Sequence, residues 1–272
     1  MSRRVRYWQD MTTTEAGRLP GTDPVAILPL AAVEQHGPHL PLATDCIIGQ
    51  GLLAAAFERL PKDYPAWVLP MLSVGASMEH GDFPGTLSLE PETLIACVCQ
   101  CGRAVAAAGV RRLLLSNSHG GNSGVMDLAA LRLRRESGLL VVKASYFRFP
   151  QPDPPCLDAE ELQHGIHGGA LEVAMMRHLA PEQVRTDELG RFESLGQLLA
   201  RDFRYLGAGR AAAFAWMARD LNPAGVVGNA GQGDAATGER LVAHYGGVLA
   251  ALIEETRAFP LDALSSPPAR GD

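Results

Sequence analysis

Short apolar runs alternate with longer helical segments along this chain, and that order constrains the fold more than any other feature of the sequence. The runs Val25–Leu30, Ala66–Val74, Arg111–Asn117 and Leu139–Tyr146 have the length of strands. Helices are predicted over 45–60, 91–108, 123–136, 168–179 and 238–257. Alternation of strands and helices is typical of parallel sheets, because each crossover connection carries a helix. We therefore expect one α/β domain, with a mostly parallel sheet and helices on both faces.

The composition fits a single globular domain. The chain has 272 residues, of which 47% are hydrophobic and 20% charged, so it can bury a core without disulfides. We expect the domain to span residues 1–264 and to be followed by a loose tail over 265–272. Residues 148–163 are rich in proline and are expected to be irregular.

Charge and cysteine content argue against several classes of function. The formal net charge is −6, which disfavours general binding to nucleic acid or to an anionic membrane. No apolar run approaches the roughly 20 residues of a membrane span, and Arg3, Arg4 and Arg6 precede no apolar core of a signal peptide. The cysteines show no spacing typical of a disulfide framework or a zinc knuckle. We therefore expect a cytoplasmic protein without nucleic-acid or membrane partners.

A segment with acidic residues and histidines follows the first predicted strand. Glu34 and His36 are two residues apart, so in an extended segment their side chains point the same way, and Asp45 begins the next predicted helix. Ligands of open α/β sheets bind outside the carboxyl ends of the strands. Taken singly, Asp45 fits a helix cap and Glu34 a solvated loop residue. Together the three side chains indicate a functional site at that edge of the sheet.

Two further histidine segments follow other predicted strands. His119 lies in the sequence SHGGN, directly after the third strand, and His167 precedes two glycines and Glu172. Glycines beside a histidine permit a close approach of the backbone. A strand-to-helix turn explains His119 alone, and a carboxylate near a helix start explains Glu172 alone. Because each segment follows a strand, we expect both at the same rim as Glu34.

Carboxylates and imidazoles in this combination are typical ligands of zinc, manganese or iron. One carboxylate can bridge two such ions about 3.5–4 Å apart. A single catalytic ion needs only three protein ligands, and the candidates exceed that number. The candidate ligands are Glu34, His36, Asp45, His119 and Glu172. The residues therefore indicate either a binuclear site or one metal ion beside acid–base groups.

Four motifs stand in order along the chain. The first is LPLAAVEQHGPHLPLATD at 28–45, and the second is SMEHGDFPGT at 77–86. The third is NSHGGN at 117–122, and the fourth is HGGALE at 167–172. In this order they resemble the motifs of the creatininase (creatinine amidohydrolase) family, over roughly residues 20–255.

The resemblance implies an α/β fold, two divalent metal ions and hydrolysis of a C–N bond in an amide or cyclic amide. It also implies a homo-oligomer, often a hexamer built as a trimer of dimers. By position, Glu34, His36 and His119 match metal ligands of the family, and Asp45 matches the carboxylate that bridges the two ions. His167 matches a histidine with a role in proton transfer.

The sequence departs from creatininase proper at two places. Gly120 and Gly121 stand where creatininase has a Tyr–Glu pair whose glutamate binds metal. Relatives with His-Gly-Gly-Asn take that carboxylate from a later helix, which here implies Glu172. Gln163 stands where creatininase has a tryptophan over the substrate. The substrate is therefore expected to be a small amide other than creatinine.

The expected mechanism is attack of a metal-activated water on an amide carbonyl. A divalent metal lowers the pKa of bound water toward about 7. His167 is the predicted general acid for the leaving nitrogen, because an imidazole titrates near neutral pH, and Glu172 belongs to the same catalytic set. The residues predicted to contact the substrate are Ser77, His80, His39 and Gln163.

Three hypotheses of function follow from these patterns. The preferred one is hydrolysis of a non-peptide amide. The second is a peptidase or formamide deformylase of a cofactor biosynthetic pathway, since relatives clip a carrier peptide or remove formyl groups from pyrimidine intermediates. The pocket formed by 148–166 and 190–232 decides between a peptide, which needs an open groove, and a nucleotide, which needs inward-pointing arginines. The third is a non-catalytic metal-binding assembly protein.

Overall fold

The central sheet has four parallel strands among the residues that the structure describes. The computed structural model describes residues 5–208 and 211–264, so the tail predicted to be loose lies outside the described residues. The strands are β1 (Val25–Leu30), β2 (Ala66–Val68), β3 (Arg112–Asn117) and β4 (Leu140–Ser145), with a separate antiparallel pair, β5 (Arg191–Phe192) and β6 (Gly228–Asn229). Their order across the main sheet is β2–β1–β3–β4. The predicted parallel α/β fold is confirmed.

Helices connect the strands in the predicted alternation. The helices are α1 (Thr13–Ala16), α2 (Thr44–Arg59), α3 (Pro91–Ala107), α4 (Ser123–Ser137), α5 (Ala159–His164), α6 (Ala170–Leu179), α7 (Leu195–Leu199), α8 (Ala218–Leu221) and α9 (Ala235–Ala258). The five predicted helices are present as α2, α3, α4, α6 and α9, with ends shifted by a few residues. Among the described residues, none of these helices has the length and apolar character needed to cross a membrane.

Helices cover both faces of the sheet, because successive side chains of a strand point to opposite sides. On one side, Ile27 and Leu114 are fully buried in the core that includes α2, α6 and α9. On the other side, Leu28 and Leu113 are fully buried in the core that includes α3 and α4. Each such side chain contributes about 1.5–3 kcal/mol when it is fully buried. These two cores fix the positions of the strand ends and of the helix starts beside them.

Two details of the predicted secondary structure were wrong, each for a local reason. The second strand does not reach Val74, because Pro70 has no N–H to donate to the ladder, and only an isolated bridge continues the pairing beyond it. Residues 148–163 are not irregular throughout, since α5 begins at their end. Asp158 caps this helix by accepting a hydrogen bond from the N–H of Glu161 at 2.8 Å.

Two glycines of α9 allow the packing of α9 on α6 to be tested. A Cβ atom at Gly238 would lie 1.9 Å from the backbone oxygen of Ala174, so Gly238→Ala must push the helices apart. We expect this variant to lower the free energy of unfolding by about 1–3 kcal/mol. A Cβ at Gly247 meets only the side chain of Arg59, at 3.4 Å. Gly247→Ala should therefore be neutral or stabilising by about 0.5–1 kcal/mol. Urea unfolding followed by circular dichroism measures both, and equal losses would contradict the packing.

Candidate metal centre

The carboxyl ends of the strands bring the predicted segments together at one edge of the sheet. Three groups of side chains place ligand atoms within 4.8 Å of one another. These groups are Glu34 with Asp45 and His119, His36 with His167 and Glu172, and Glu34 with His80 and His167. Every candidate ligand named from the sequence belongs to at least one group. The convergence expected at this rim is therefore present.

Asp45 lies between two imidazoles of this cluster. Its Oδ1 is 3.5 Å from Nε2 of His36, and its Oδ2 is 3.4 Å from Nδ1 of His119. Asp45 is in the first turn of α2, where the helix dipole favours a carboxylate. The N-cap residue is Ala43, and no side chain caps this helix, so Asp45 does not have the capping role that its position alone allowed. Its two oxygens face different histidines, which is the arrangement of a bridging carboxylate.

Glu34 is fully buried, so it is not a solvated loop residue. Its Oε1 is 3.2 Å from Nδ1 of His119, 3.5 Å from Nε2 of His80 and 3.8 Å from Nδ1 of His167. Burial raises the pKa of Glu34, but the adjacent His119, and after it His167 and His80, outweigh burial and hold that pKa below its usual value. The carboxylate therefore stays ionised at the centre of three imidazoles.

The outer nitrogen of each candidate histidine ligand is fixed by the backbone. Nδ1 of His36 is 3.1 Å from the backbone oxygen of Glu34, and Nε2 of His119 is 2.9 Å from the backbone oxygen of Ala76. A carbonyl oxygen only accepts, so these nitrogens donate and the opposite nitrogens face the carboxylates. Burial lowers the pKa of His36, but Asp45 and then Glu172 raise it to about 9. Anchoring of the outer nitrogen in this way is typical of histidines that bind metal.

Several buried atoms of the cluster have no hydrogen-bond partner among the described residues. They are Oε1 and Oε2 of Glu34, Nε2 of His36 and Oδ2 of Asp45. A buried polar atom without a partner costs about 1–3 kcal/mol, and these atoms belong to residues of the neighbouring ligand groups described above. Carboxylate oxygens and imidazole nitrogens suit a divalent cation, so the donor set fits a metal centre.

Glu172 brings a carboxylate to the other side of His36. Its Oε2 is 4.0 Å from Nε2 of His36 and accepts a hydrogen bond from the N–H of Gly168 at 2.6 Å. A Cβ atom at Gly121 would lie 2.3 Å from the backbone oxygen of Ala76 and 2.5 Å from Oε1 of Glu79. A glutamate at position 121 therefore has no room here, whereas Glu172 lies beside His36.

A cavity of about 540 Å³ opens over the cluster. Its floor contains Glu34, Asp45, His119 and Glu172, together with His80 and His167. Apolar side chains form part of its wall, and these are Phe147, Leu162, Ile166, Leu171 and Trp216. Arg148 is the one arginine or lysine among the described lining residues. The cavity is therefore acidic at its base and partly apolar along its side.

Three of the four residues predicted to contact the substrate lie outside the cavity lining. Ser77 is fully buried behind His119, with its Oγ 3.3 Å from Nε2 of that ring. His39 is also buried, and its Nε2 donates to a backbone oxygen 2.8 Å away. Gln163 lines a separate small pocket. His80 alone of the four lines the large cavity, so the structure places the others where they support the site from behind or beside it.

Three cavity residues were missed by the sequence reasoning. Glu79 has its Oε1 3.8 Å from Nε2 of His119, and burial raises the pKa of Glu79 above its usual value. Tyr146 donates from its hydroxyl to Oε1 of Glu172 at 3.3 Å, and Trp216 lines the wall. Glu79 lies inside the second motif, and Tyr146 directly follows β4, so both positions carried a usable signal. Trp216 lies in a region without clear periodicity and offered none.

Comparisons with known proteins show the same pattern of sequence and fold. The family model described as "Creatininase: Creatinine amidohydrolase" matches residues 9–253. A mycofactocin precursor peptide peptidase of Mycobacterium ulcerans (strain Agy99) is 33% identical over 248 residues, which cover 89% of each chain. A solved mutant creatininase of the Zn-Zn type is 27% identical with a TM-score of 0.73, over 93% of this chain and 98% of the other. The solved "Creatininase Mn" is 27% identical with a TM-score of 0.71, over 93% and 99%.

Proposed function

Because the chain belongs to the creatininase (creatinine amidohydrolase) family, we propose that it is a metal-dependent peptidase that cleaves an amide bond in a precursor peptide. The observation that carries the choice of a peptide is the cavity of about 540 Å³ over the carboxylate–histidine cluster. Pockets of about 300–1,000 Å³ hold drug-sized ligands. This cavity has room for several residues of an extended peptide, and a small cyclic amide fills only a minor part of it.

The peptidase relative supports the same choice. It covers 89% of this chain and 89% of its own length, and its name states a peptide substrate. The non-peptide amide preferred from the sequence alone rested on the resemblance to the creatininase family as a whole. The apolar wall that includes Leu162, Ile166 and Trp216 suits the side chains of a peptide. Arg148 at the same cavity suits a carboxylate of that peptide.

Two divalent cations, of zinc, manganese or iron, are proposed to occupy the cluster. Glu34, Asp45 and His119 would hold one, and His36 and Glu172 would hold the other, with Asp45 near both because its two oxygens face His119 and His36. A divalent cation supplies a water of lowered pKa and polarises a carbonyl oxygen. The support for this donor set is the group of buried oxygen and nitrogen atoms that have no hydrogen-bond partner among the described residues.

Proton transfer is assigned to His167. The leaving nitrogen of an amide needs a proton, because an amide anion is a very poor leaving group. His167 lines the cavity, and its Nδ1 faces the cluster at 3.8 Å from Oε1 of Glu34. Its Nε2 donates to the backbone oxygen of Gln35 at 2.8 Å, which holds the ring in place. Nδ1 is therefore the atom that carries a proton to the leaving nitrogen.

The proposal is tested with protein loaded separately with zinc and manganese. A library of oligopeptides is one substrate set, and creatinine, lactams and formamides are the other; products are identified by mass spectrometry. We expect cleavage of peptides, loss of cleavage on chelation and recovery when metal is returned. Hydrolysis confined to the small amides would return the assignment to a non-peptide amidohydrolase. No hydrolysis in either set, with metal bound, would favour the assembly protein.

A further inference from the structure

Gln35 lies between two of the site histidines and is only 5% exposed. Its Oε1 accepts a hydrogen bond from the N–H of Gly37 at 3.0 Å, and its Nε2 donates to the backbone oxygen of Gly225 at 2.6 Å. Turning the amide around would place oxygen against oxygen and N–H against N–H. The orientation of this amide is therefore fixed by two backbone groups that do not belong to the metal cluster.

The second amide hydrogen of Gln35 points to His80. Nε2 of Gln35 is 2.8 Å from Nδ1 of His80 and 3.2 Å from Nε2 of His167. Nε2 of His167 donates to the carbonyl oxygen of Gln35, so the amide hydrogen goes to Nδ1 of His80, which accepts it. A neutral histidine that accepts at Nδ1 carries its hydrogen at Nε2. In His80 that nitrogen faces Oε1 of Glu34 at 3.5 Å. His80 therefore presents a donor to the carboxylate and has no free lone pair to offer a metal ion.

The backbone of Gln35 fixes the opposite arrangement in His167, in which the nitrogen that faces Glu34 carries no hydrogen. Its Nε2 is 2.8 Å from the carbonyl oxygen of Gln35, which can only accept, so the hydrogen of His167 is at Nε2. Its Nδ1, which faces Glu34, is then bare. The His80 and His167 rings stack with centroids 4.2 Å apart, and this contact limits rotation of either ring. One residue thus directs a donor and an acceptor toward the same carboxylate.

We propose that Gln35 is a positioning residue that sets complementary tautomers of His80 and His167. Of the two rings, only His167 then has a bare nitrogen toward the cluster, which can accept the proton that the attacking water releases and pass it to the leaving nitrogen. His80 instead directs an N–H toward the carboxylate of Glu34. The consequence for the reaction rests on the proposed function, but the tautomers themselves do not depend on it.

The tautomers are measured directly in zinc-loaded protein labelled with 15N at histidine. Long-range 1H–15N spectra report which ring nitrogen carries hydrogen, and single His80→Gln and His167→Gln variants assign the signals. We expect hydrogen at Nε2 of both rings in the wild type. In Gln35→Glu the side chain only accepts toward His80, so the hydrogen of His80 should move to Nδ1 or be present at both nitrogens. His167 should not change, because its partner is the backbone carbonyl.

If the charge added by Gln35→Glu prevents folding, Gln35→Met still tests the proposal. It removes the amide donor without adding a charge, so His80 should populate both tautomers, and kcat should fall by about 10–100-fold, the loss typical of partners outside the ligand shell. Gln100→Glu, at an exposed position of α3, is the matched control and should change neither spectrum nor rate. A wild-type His80 with hydrogen at Nδ1, or an unchanged His80 in both Gln35 variants, overturns the proposal. Failure of the peptidase assignment alone leaves these spectra unaffected.

Discussion

Replacing Asp45 with asparagine is expected to remove at least one metal ion per chain and to lower kcat/KM by at least about 1,000-fold. Its two oxygens face His36 and His119 separately, so losing the charge weakens both halves of the proposed centre. Metal activation is worth several kcal/mol, and each 1.36 kcal/mol is about tenfold in rate. Metal content is counted by plasma mass spectrometry after dialysis, and rates are measured on a cleaved peptide.

Asp127→Asn is the matched control, because Asp127 is exposed on α4 and pairs with Lys143 away from the site. It should keep full metal content and activity. Zinc should also raise the melting temperature of the wild type, since a ligand at 100 times its Kd stabilises by about 2.7 kcal/mol. The Asp45 variant should respond less. Full metal content together with full activity in Asp45→Asn would falsify the bridging assignment.

His167→Ala is expected to keep its metal ions and to lose about 100- to 10,000-fold in kcat, the range typical of a positioned acid–base group. The reason is that Nδ1 of His167 faces the cluster while its other nitrogen is held by the backbone of Gln35. KM should change little, because the ring moves a proton and contributes little to substrate binding. The measurement is steady-state kinetics on protein of known metal content.

His178→Ala serves as the control for this experiment. His178 lies on the exposed side of α6, so its removal should leave kcat within about twofold. Loss of metal from His167→Ala would make this residue a ligand, since its Nδ1 also lies within reach of His36 and Glu172. Full turnover with full metal content would remove it from the mechanism.

Position in the fold made much of this site predictable. Glu34 and His119 follow strands within four residues, and Glu172 lies in the first turn of a helix. Strand–helix alternation places such positions at one edge of a parallel sheet. The two-residue spacing of Glu34 and His36 predicts side chains on the same side, and both side chains reach the cluster. Strands and helices have different apolar patterns, so the local sequence is enough to locate these strand ends and helix starts.

The rest depended on contacts between distant segments. The offset of Gln163 from a motif predicts a place over the substrate, but Gln163 lies within α5 and lines another pocket. Glu161 of α5 accepts hydrogen bonds from the N–H groups of Ala170 and Asn229. It thereby joins three separate segments of the chain, and no local sequence pattern predicts this contact. The tautomers set by Gln35 depend likewise on Gly225, far along the chain. Long-range hydrogen bonds of this kind have no period in the sequence.

Residues 225–227, which form hydrogen bonds with Gln35 and His167, are synthesised after all the proposed metal ligands. Gly225 accepts the amide of Gln35, and the N–H of Val227 donates to the backbone oxygen of His167 at 2.9 Å. A ribosome therefore releases every proposed ligand, down to Glu172, before it releases Gly225 and Val227, which contact Gln35 and His167. A nascent chain that ends before residue 225 has the donor atoms but lacks these two hydrogen bonds. We therefore expect metal ions to bind stably only after residues 225–227 have been released. The geometry of the folded site then determines which metal is retained.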